Sequence, residues 1–183
     1  QRGGSSGVGL AADSALRGAG ARVVAVGRNI EHVALASSAL GPNAEVMAGD
    51  ATNPRTASFA LDTANRRFGG VHGFYHVAGG SGRSAGDGPL HEISDEGWDF
   101  TLQLNLTSMF YSNRAAARYF TSQSLPGSVL NMGSVLGFSP SPKFFATHAY
   151  ATAKAAVIGL TRSAAAYYAP HNIRFNVVTP ALV

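Results

Sequence analysis

Short apolar segments alternate with longer segments of helical apolar spacing along the whole chain, and this order leaves few folds open. The short segments, which are typical of buried strands, comprise residues 22–26, 45–48, 71–77, 128–132 and 173–178. The longer segments comprise residues 10–18, 29–40, 54–68, 94–120 and a stretch that begins at 148. Strands that are joined by helices run parallel and are covered on both faces. The sequence therefore predicts an α/β fold, a Rossmann-type doubly wound parallel sheet in three layers (α/β/α).

Length and composition fit one domain of this kind. The chain has 183 residues, of which 45% are hydrophobic and 13% charged, so it is neither disordered nor long enough for two typical domains. We therefore expect residues 1–183 to form a single domain. The net charge is +4 and the arginines are scattered, so no nucleic-acid partner is expected. No apolar run reaches the roughly 18 residues of a membrane span, so no membrane partner is expected either.

The residue types also bear on metal binding and on the cellular compartment. The chain has no cysteine, which rules out disulfides and thiolate metal sites, and none of its six histidines are spaced as paired ligands. We therefore expect no metal site. The lack of cysteine also fits a reducing compartment, and a cytoplasmic location is the expectation.

A glycine-rich segment opens the first helical pattern. It contains Gly3, Ser5, Ser6, Gly7, Val8 and Gly9, and the strand at 22–26 follows the helix. Glycines let backbone amides approach a pyrophosphate at the positive end of a helix. A loop, a helix and a strand in this order form one half of a dinucleotide-binding unit. The six residues are therefore candidates for cofactor binding, and a flexible chain end is the alternative interpretation.

The strand at 22–26 is followed by Gly27 and Arg28, with no carboxylate before Glu31. Dinucleotide folds that select NAD usually place an acidic residue there, whereas an arginine suits the 2′-phosphate of NADP. Gly27 and Arg28 therefore indicate NADP as the preferred cofactor and NAD as the second choice. A solvated loop charge is the alternative interpretation of Arg28.

Tyr150 and Lys154 are four residues apart, which places both on one face of the last helix. A phenol has an unperturbed pKa of about 10, and an ammonium one helical turn away lowers that pKa. The pair is a candidate general acid/base with its activating group, and a surface pair on an ordinary helix is the alternative. Asn105, in the middle of the 94–120 pattern, is a poor helix-interior residue and is predicted to satisfy a specific partner.

Taken together, the motifs resemble those of the short-chain dehydrogenase/reductase family over essentially the whole chain. Gly3, Gly7 and Gly9 match the family's Thr-Gly-x-x-x-Gly-x-Gly loop, with Arg2 where threonine is usual. Asp50, which Ala51 follows, matches the aspartate that lies near the adenine in family members, and Ala78 and Gly79 match the end of the Asn-Asn-Ala-Gly motif. The family's catalytic residues are matched by Asn105, Ser134, Tyr150 and Lys154, and the strand that follows is matched by residues 173–176 and Pro180.

The resemblance implies an NAD(P)-dependent oxidoreductase that transfers a hydride between the nicotinamide and a small carbonyl or secondary alcohol substrate. Tyr150 would act as general acid/base, and Ser134 would hold the substrate oxygen. Lys154 would lower the pKa of the phenol and bind the nicotinamide ribose, and Asn105 would link Lys154 to solvent. Tyr150, Lys154 and Pro180 are also expected to contact the cofactor. The resemblance further implies a homo-oligomer, a tetramer or a dimer, formed through the largely apolar helices of Asn105 and Tyr150.

Besides Arg2, the sequence departs from the family pattern at three places. His76 and Val77 replace the asparagine pair, Ala181 replaces the glycine after Pro180, and the interval from Ser134 to Tyr150 is slightly longer than in many relatives. The first two changes keep open a catalytically silent NAD(P)-binding sensor or scaffold. A nucleotide-sugar epimerase or dehydratase on the same fold is the other alternative.

Both ends of the chain are expected to be truncated relative to this fold. Only Gln1 and Arg2 precede the glycine loop, where a strand of about five or six residues is usual. In the strand order 3-2-1-4-5-6 that first strand is central. We therefore expect a position without a strand between residues 23–26 and 71–77. The last strand and the substrate-binding segment would follow Val183.

Overall fold

The computed structural model describes residues 3–181, in which five strands alternate with helices. The strands are β1 (Val23–Gly27), β2 (Ala44–Ala48), β3 (Gly73–His76), β4 (Gly127–Met132) and β5 (Ile173–Val178). The α-helices are α1 (Gly7–Gly18), α2 (Ile30–Leu40), α3 (Thr56–Phe68), α4 (Asp95–Leu102), α5 (Ser108–Ser122) and α6 (His148–Tyr168). Each predicted strand is present, and each predicted helical segment is helical, with the ends shifted by at most a few residues.

The strands form two parallel sheets. β1 pairs with β2, in a register that runs from Val23 opposite Ala44 to Gly27 opposite Ala48. β4 pairs with β3 on one side and with β5 on the other, which gives the order β3-β4-β5. Among residues 3–181 no strand connects β1 with β3, so the position expected to be without a strand lies between the two sheets.

Helices cover the sheets on both faces and confirm the predicted three-layer α/β fold. On one face, α1 and α2 pack against β1 and β2 around Val23 and Leu40. On the other face, α3, α5 and α6 enclose a larger core that includes Phe120 and Val129. Helix α3 contacts both β1 and α5 and so connects the two sheets.

The long helical pattern from 94 to 120 is not one continuous helix. After α4 ends, residues Gln103–Thr107 form a π-helical turn, and α5 begins at Ser108. Such turns widen the backbone locally and are frequent at functional sites. Asn105 lies at the centre of this turn, near the carboxyl ends of the strands, where open α/β sheets bind their ligands.

Candidate active site

The glycine-rich segment folds into a tight turn ahead of α1. The Gly4 amide donates to the Val26 carbonyl at 3.0 Å, which ties the turn to β1. A β-carbon on Gly9 would overlap the Gly3 carbonyl. The turn can therefore approach α1 this closely only because residue 9 is a glycine.

The first turn of α1 has no side-chain cap. Its N-cap residue, Ser6, makes no side-chain hydrogen bond to the helix, and no acidic residue lies in the first turn. By contrast, Asn29 caps α2 and Ser94 caps α4. The first amides of a helix lack intrahelical partners and carry the positive end of the helix dipole. An uncapped helix start of this kind fits an anionic group such as a pyrophosphate.

A cavity of about 710 Å³ lies beside this helix start and extends into the space between the two sheets. Most of the predicted cofactor residues line it, namely Gly3, Ser5, Ser6, Gly9, Gly27, Arg28, Asp50, Ala51, Ala78 and Gly79. The other residues predicted to bind the cofactor lie outside this lining, namely Gly7, Val8, Tyr150, Lys154 and Pro180. The facing edges of β1 and β3 also line the cavity, so part of its volume is the gap between the sheets. Arg2 lies outside the described residues.

The polar residues of the cavity that sequence reasoning missed include Asp13, Asn29 and His32. Asp13 lies one helical turn after Gly9, on the same face of α1, and this spacing was the available signal. Burial raises the pKa of Asp13 to about 7. Asn29 accepts a hydrogen bond from the His32 amide at 2.9 Å and thereby starts α2 next to Arg28.

Arg28 and Asp50 face each other at the carboxyl ends of β1 and β2. Arg28 Nη1 lies 3.7 Å from Asp50 Oδ2, and both side chains are about half exposed. Burial alone would raise the pKa of Asp50, but hydrogen bonds from Thr52 and the charge of Arg28 lower it below its ordinary value. An ion pair this long and exposed is worth about 0–1 kcal/mol. Arg28 can therefore exchange Asp50 for a bound anion at small cost.

Lys154 lies close to Tyr150 and, together with Asn105, against Gly79. The Lys154 Nζ donates to the Met132 carbonyl at 2.8 Å and lies 5.6 Å from the centre of the Tyr150 ring. Burial lowers the pKa of Lys154 to about 8. A β-carbon on Gly79 would lie 2.8 Å from Asn105 Oδ1 and 3.4 Å from Lys154 Nζ. Groups that are 49 residues apart in the sequence are thus brought together against one glycine.

Ser134 is the fourth predicted catalytic residue, and it lies beside Tyr150. It is buried directly after β4, and its hydroxyl accepts a hydrogen bond from the Leu136 amide at 3.2 Å. Burial raises the pKa of Tyr150 above its ordinary value of 10.0, while a hydrogen bond with Ser134 acts in the opposite direction. The expectation that Lys154 lowers the pKa of this phenol is wrong for this structure. Desolvation of the ring dominates, and Lys154 is hydrogen-bonded to Met132.

The side chain of Asn105 is fully buried and uses both ends of its amide. Its Oδ1 accepts from the Gly80 amide at 3.0 Å, and its Nδ2 donates to the carbonyls of Gly80 at 2.9 Å and Thr101 at 3.0 Å. This confirms that the mid-helix asparagine satisfies a specific partner. Asn105 holds the start of the loop after β3 against the π-helical turn.

His76, which replaces the first family asparagine, forms a buried polar cluster with two serines of α5. Its Nδ1 lies 2.9 Å from the Ser112 hydroxyl, and its Nε2 lies 3.4 Å from the Ser108 hydroxyl. Burial, and to a lesser extent the charge of Lys154, lower the pKa of His76 to about 3. The imidazole is therefore neutral near pH 7, and its two ring nitrogens are both within hydrogen-bonding distance of α5 hydroxyls.

Asp87 is a buried acidic residue that sequence reasoning left without a role. It lies in the loop between β3 and α4, yet its two carboxylate oxygens accept hydrogen bonds from the amides of Ala149 and Tyr150, each at 3.0 Å. The available signal was an acidic residue within a glycine-rich loop. Nothing in the local sequence indicates which helix it contacts.

Within residues 3–181, no three or more His, Asp or Glu side chains are grouped so that they could hold a metal ion. In the same part of the chain, no helix combines the length and the apolar character needed to cross a membrane.

The parallel sheets, the glycine turn before α1 and the polar residues gathered at the carboxyl ends of the strands define a Rossmann-type α/β protein. A family model described as short chain dehydrogenase matches residues 2–183. The chain therefore belongs to the short-chain dehydrogenase family.

Curated relatives and solved structures agree with this membership. The chain is 33% identical over 156 residues to a hexahydroindene-carboxyl-CoA reductase of Mycobacterium tuberculosis, a match that covers 85% of this chain and 57% of that protein. It is 32% identical over 184 residues to 2-(S)-hydroxypropyl-CoM dehydrogenase 3 of Xanthobacter autotrophicus, covering 99% of this chain and 69% of the relative. A short-chain type dehydrogenase/reductase structure from Mycobacterium ulcerans superposes with a TM-score of 0.87 at 31% identity, covering 98% of this chain and 65% of that one. The chain thus spans between just over half and about two thirds of the length of these proteins.

Proposed function

We propose that the protein is an NAD(P)-dependent oxidoreductase that transfers a hydride between its cofactor and a small carbonyl or secondary alcohol substrate. The observation that carries this proposal is that Lys154 lies close to the Tyr150 ring and, together with Asn105, against Gly79, while Ser134 lies beside Tyr150. Membership in the short-chain dehydrogenase family supports the same reaction class.

The residues of the cavity fit a dinucleotide. The uncapped start of α1 and the glycine turn at Gly3 would hold the pyrophosphate, because their backbone amides can approach its oxygens. Arg28 and Asp50 would hold the adenosine part, at the carboxyl ends of β1 and β2. When bound, the nicotinamide cofactor supplies or accepts the hydride.

Tyr150 holds the proton that is transferred to the substrate oxygen. Because burial raises the pKa of its phenol, Tyr150 is protonated near neutral pH, and this is the form that donates to a carbonyl oxygen. The Ser134 hydroxyl, beside the phenol, hydrogen-bonds the same substrate oxygen and stabilises the negative charge that develops there. In alcohol oxidation the proton moves the other way, which requires the phenolate.

Lys154 anchors the cofactor ribose beside the phenol. Its ammonium is held by the Met132 carbonyl close to the Tyr150 ring. The ammonium has two further N–H groups, which are available to ribose hydroxyls. Asn105, through the π-helical turn, would link Lys154 to solvent.

We propose NADP as the preferred cofactor and NAD as the weaker one. Arg28 lines the cavity beside Asn29 and His32, and its ion pair with Asp50 is long and half exposed. A guanidinium binds a phosphate through charge-assisted, bidentate hydrogen bonds.

A panel of ketones and secondary alcohols, assayed with NADPH and NADH on the full-length protein, tests the proposal. Turnover that disappears in Tyr150→Phe supports the proposed reaction. Cofactor binding without turnover of any panel member would instead favour a silent sensor. Conversion of a nucleotide sugar without net change of the cofactor would favour an epimerase.

We also propose that the protein assembles with copies of itself as a tetramer or a dimer. The residues Ala155, Gly159 and Ser163 form an exposed stripe of small side chains on α6, and Phe110 on α5 is 41% exposed. Small residues allow two helices to approach each other closely across a symmetric interface.

We also propose a cytoplasmic location for the protein, which cell fractionation tests.

A further inference from the structure

We propose that Asp87 is a positioning residue that fixes the first turn of α6 and thereby places Tyr150 for proton transfer. The inference rests on the proposed function of Tyr150. Asp87 is only 5% exposed, and each of its carboxylate oxygens accepts one backbone hydrogen bond from α6. Oδ1 accepts from the Ala149 amide and Oδ2 from the Tyr150 amide, both at 3.0 Å.

The start of α6 depends on this carboxylate because the helix lacks a cap of its own. The N-cap residue, Thr147, makes no side-chain hydrogen bond to the helix, and the first turn contains no acidic residue. Helix starts carry unpaired amides and partial positive charge, which an anion stabilises. Asp87 supplies this anion from a loop that is 62 residues away along the chain. One of the two amides belongs to Tyr150 itself, so the contact fixes the backbone from which the phenol extends.

The loop that carries Asp87 is itself held in place at several points. Gly86 has a φ of +107°, and a β-carbon there would lie 2.9 Å from the Ser94 hydroxyl. Only a glycine fits this conformation without strain. On the other side of Asp87, the Gly88 carbonyl accepts a hydrogen bond from His148 Nδ1 at 2.9 Å. Asp87 is therefore a fixed point for α6 rather than a mobile loop residue.

The same loop joins two parts of the proposed catalytic site. Asn105 holds the loop at Gly80, and Asp87 holds α6 at Tyr150. The π-helical turn and the start of α6 are thereby kept in register with each other. Lys154 lies on α6 one turn further along. A shift of the first turn would therefore move the phenol relative to Ser134, which lies on a different element.

The test compares Asp87→Ala and Asp87→Asn with Ser94→Ala in the full-length protein. Asp87→Asn keeps the side-chain volume and one acceptor oxygen, so it retains one of the two hydrogen bonds. Ser94→Ala is the matched control, since it also removes one helix cap, which accepts from the Gly97 amide at 3.0 Å, but at α4. The measurements are kcat with the best substrate of the ketone and alcohol panel, the Kd of NADPH, and hydrogen exchange of the backbone amides.

We expect Asp87→Ala to lower kcat by about 10- to 100-fold, because small misplacements of a reacting group have effects of this size. The Kd of NADPH should stay within about two-fold, since Asp87 does not line the cavity that contains the glycine turn and Arg28. Asp87→Asn should show a smaller loss of kcat. In both Asp87 variants, hydrogen exchange of the backbone amides should become faster in the first turn of α6. In Ser94→Ala, it should change only at the start of α4.

Two results would overturn the inference. One is an unchanged kcat in Asp87→Ala. The other is a parallel loss of kcat and NADPH affinity in both Asp87 variants, which would make Asp87 a residue of general stability. Tyr150→Phe is measured alongside, because retained turnover in that variant would contradict the proposed function instead. The exchange measurement requires no turnover and so tests the contact between Asp87 and α6 independently.

Discussion

The ammonium of Lys154 donates a hydrogen bond to the main-chain carbonyl of Met132 across 2.8 Å. Met132 is the last residue of β4, and Ser134 follows two residues later. The contact therefore connects the helix that carries Tyr150 with the strand that leads to Ser134. Because Lys154 is only 2% exposed, its ammonium is held by protein groups rather than by solvent. Lys154 thus makes a structural contact in addition to its proposed chemical role, whereas the role proposed for the Tyr150 hydroxyl is chemical only.

Replacement of Tyr150 and replacement of Lys154 should therefore have different effects. Tyr150→Phe should lower kcat by at least about 10²- to 10⁴-fold, the usual contribution of a general acid/base. Its NADPH affinity should be nearly unchanged, because the cofactor phosphates are held near Gly3. Lys154→Met should weaken both turnover and NADPH binding. Steady-state kinetics and fluorescence titration measure the two quantities. A Tyr150→Phe protein that retains most of its kcat would contradict the assignment.

Replacement of Arg28 should reduce the preference for NADPH. In Arg28→Ala, kcat/KM for NADPH should fall about 10- to 100-fold while the value for NADH changes little, since a charge-assisted hydrogen bond contributes about 1.5–3 kcal/mol. The control is Arg67→Ala, which removes an arginine of similar exposure that is paired with Glu45 at 3.1 Å and lies outside the cavity lining. Equal kcat/KM values for the two cofactors in the unmodified protein would refute the proposed preference.

The exposed stripe on α6 should be part of the interface between subunits. In Gly159→Arg, the new side chain points into open space and leaves the fold of the single chain intact, because no atom lies within 4 Å of the added β-carbon. We expect this variant to dissociate to smaller species in light scattering at micromolar concentration. Gly18→Arg is the matched control, since Gly18 on α1 also has open space beside it. A monomeric unmodified protein would exclude the proposed assembly.

The buried His76 should make the protein sensitive to acid. Its pKa is about 3 in the folded state, below the ordinary value of 6.5, so the unfolded state takes up the proton first as the pH falls. The contribution of His76 to stability is thus complete above pH 6.5 and is lost progressively towards pH 3. Between pH 7 and pH 5 the loss should be about 2 kcal/mol, at about 1.4 kcal/mol for each pH unit below 6.5.

The measurement for His76 compares urea unfolding of the unmodified protein and of His76→Asn at both pH values. The comparison between two proteins is needed because Asp13, with a pKa raised from 3.8 to about 7, changes stability in the opposite direction over this range. The pH dependence of Asp13 is common to both proteins and cancels in the difference. His91→Asn, which removes an exposed imidazole, is the control. If the free energies of unfolding of the two proteins differ by the same amount at pH 7 and pH 5, the prediction is wrong.

Several features of the site could be predicted because they depend on local spacing. The separation of Tyr150 and Lys154 by four residues places both on one helix face in any fold. A mid-helix asparagine needs a partner for its side-chain amide, and Asn105 forms hydrogen bonds with the amide and the carbonyl of Gly80. The partner itself could not be predicted, since Gly80 is 25 residues away in the sequence. The interruption of the 94–120 pattern was also missed, because a π-helical turn has no distinct apolar spacing.

The predicted direction of the shift in the Tyr150 pKa is wrong for a related reason. The spacing places Lys154 near the ring, but it does not reveal how deeply the ring is buried or which acceptor the ammonium selects. In the structure, desolvation raises the pKa of Tyr150, and the Met132 carbonyl accepts a hydrogen bond from the Lys154 ammonium. Both effects depend on neighbours from other strands.

The sequence by itself determined the order and type of the elements and the residues that meet at the carboxyl ends of the strands. Apolar periodicity and glycine positions act over a few residues, so they can be read along the chain. Only the tertiary structure decided which loop caps the helix of Tyr150, which groups form hydrogen bonds with His76, and in which direction burial shifts the pKa of each ionisable group. A hydrogen bond such as that from the Tyr150 amide to Asp87 joins residues 63 apart, and the chain specifies it only through the packing of everything between them.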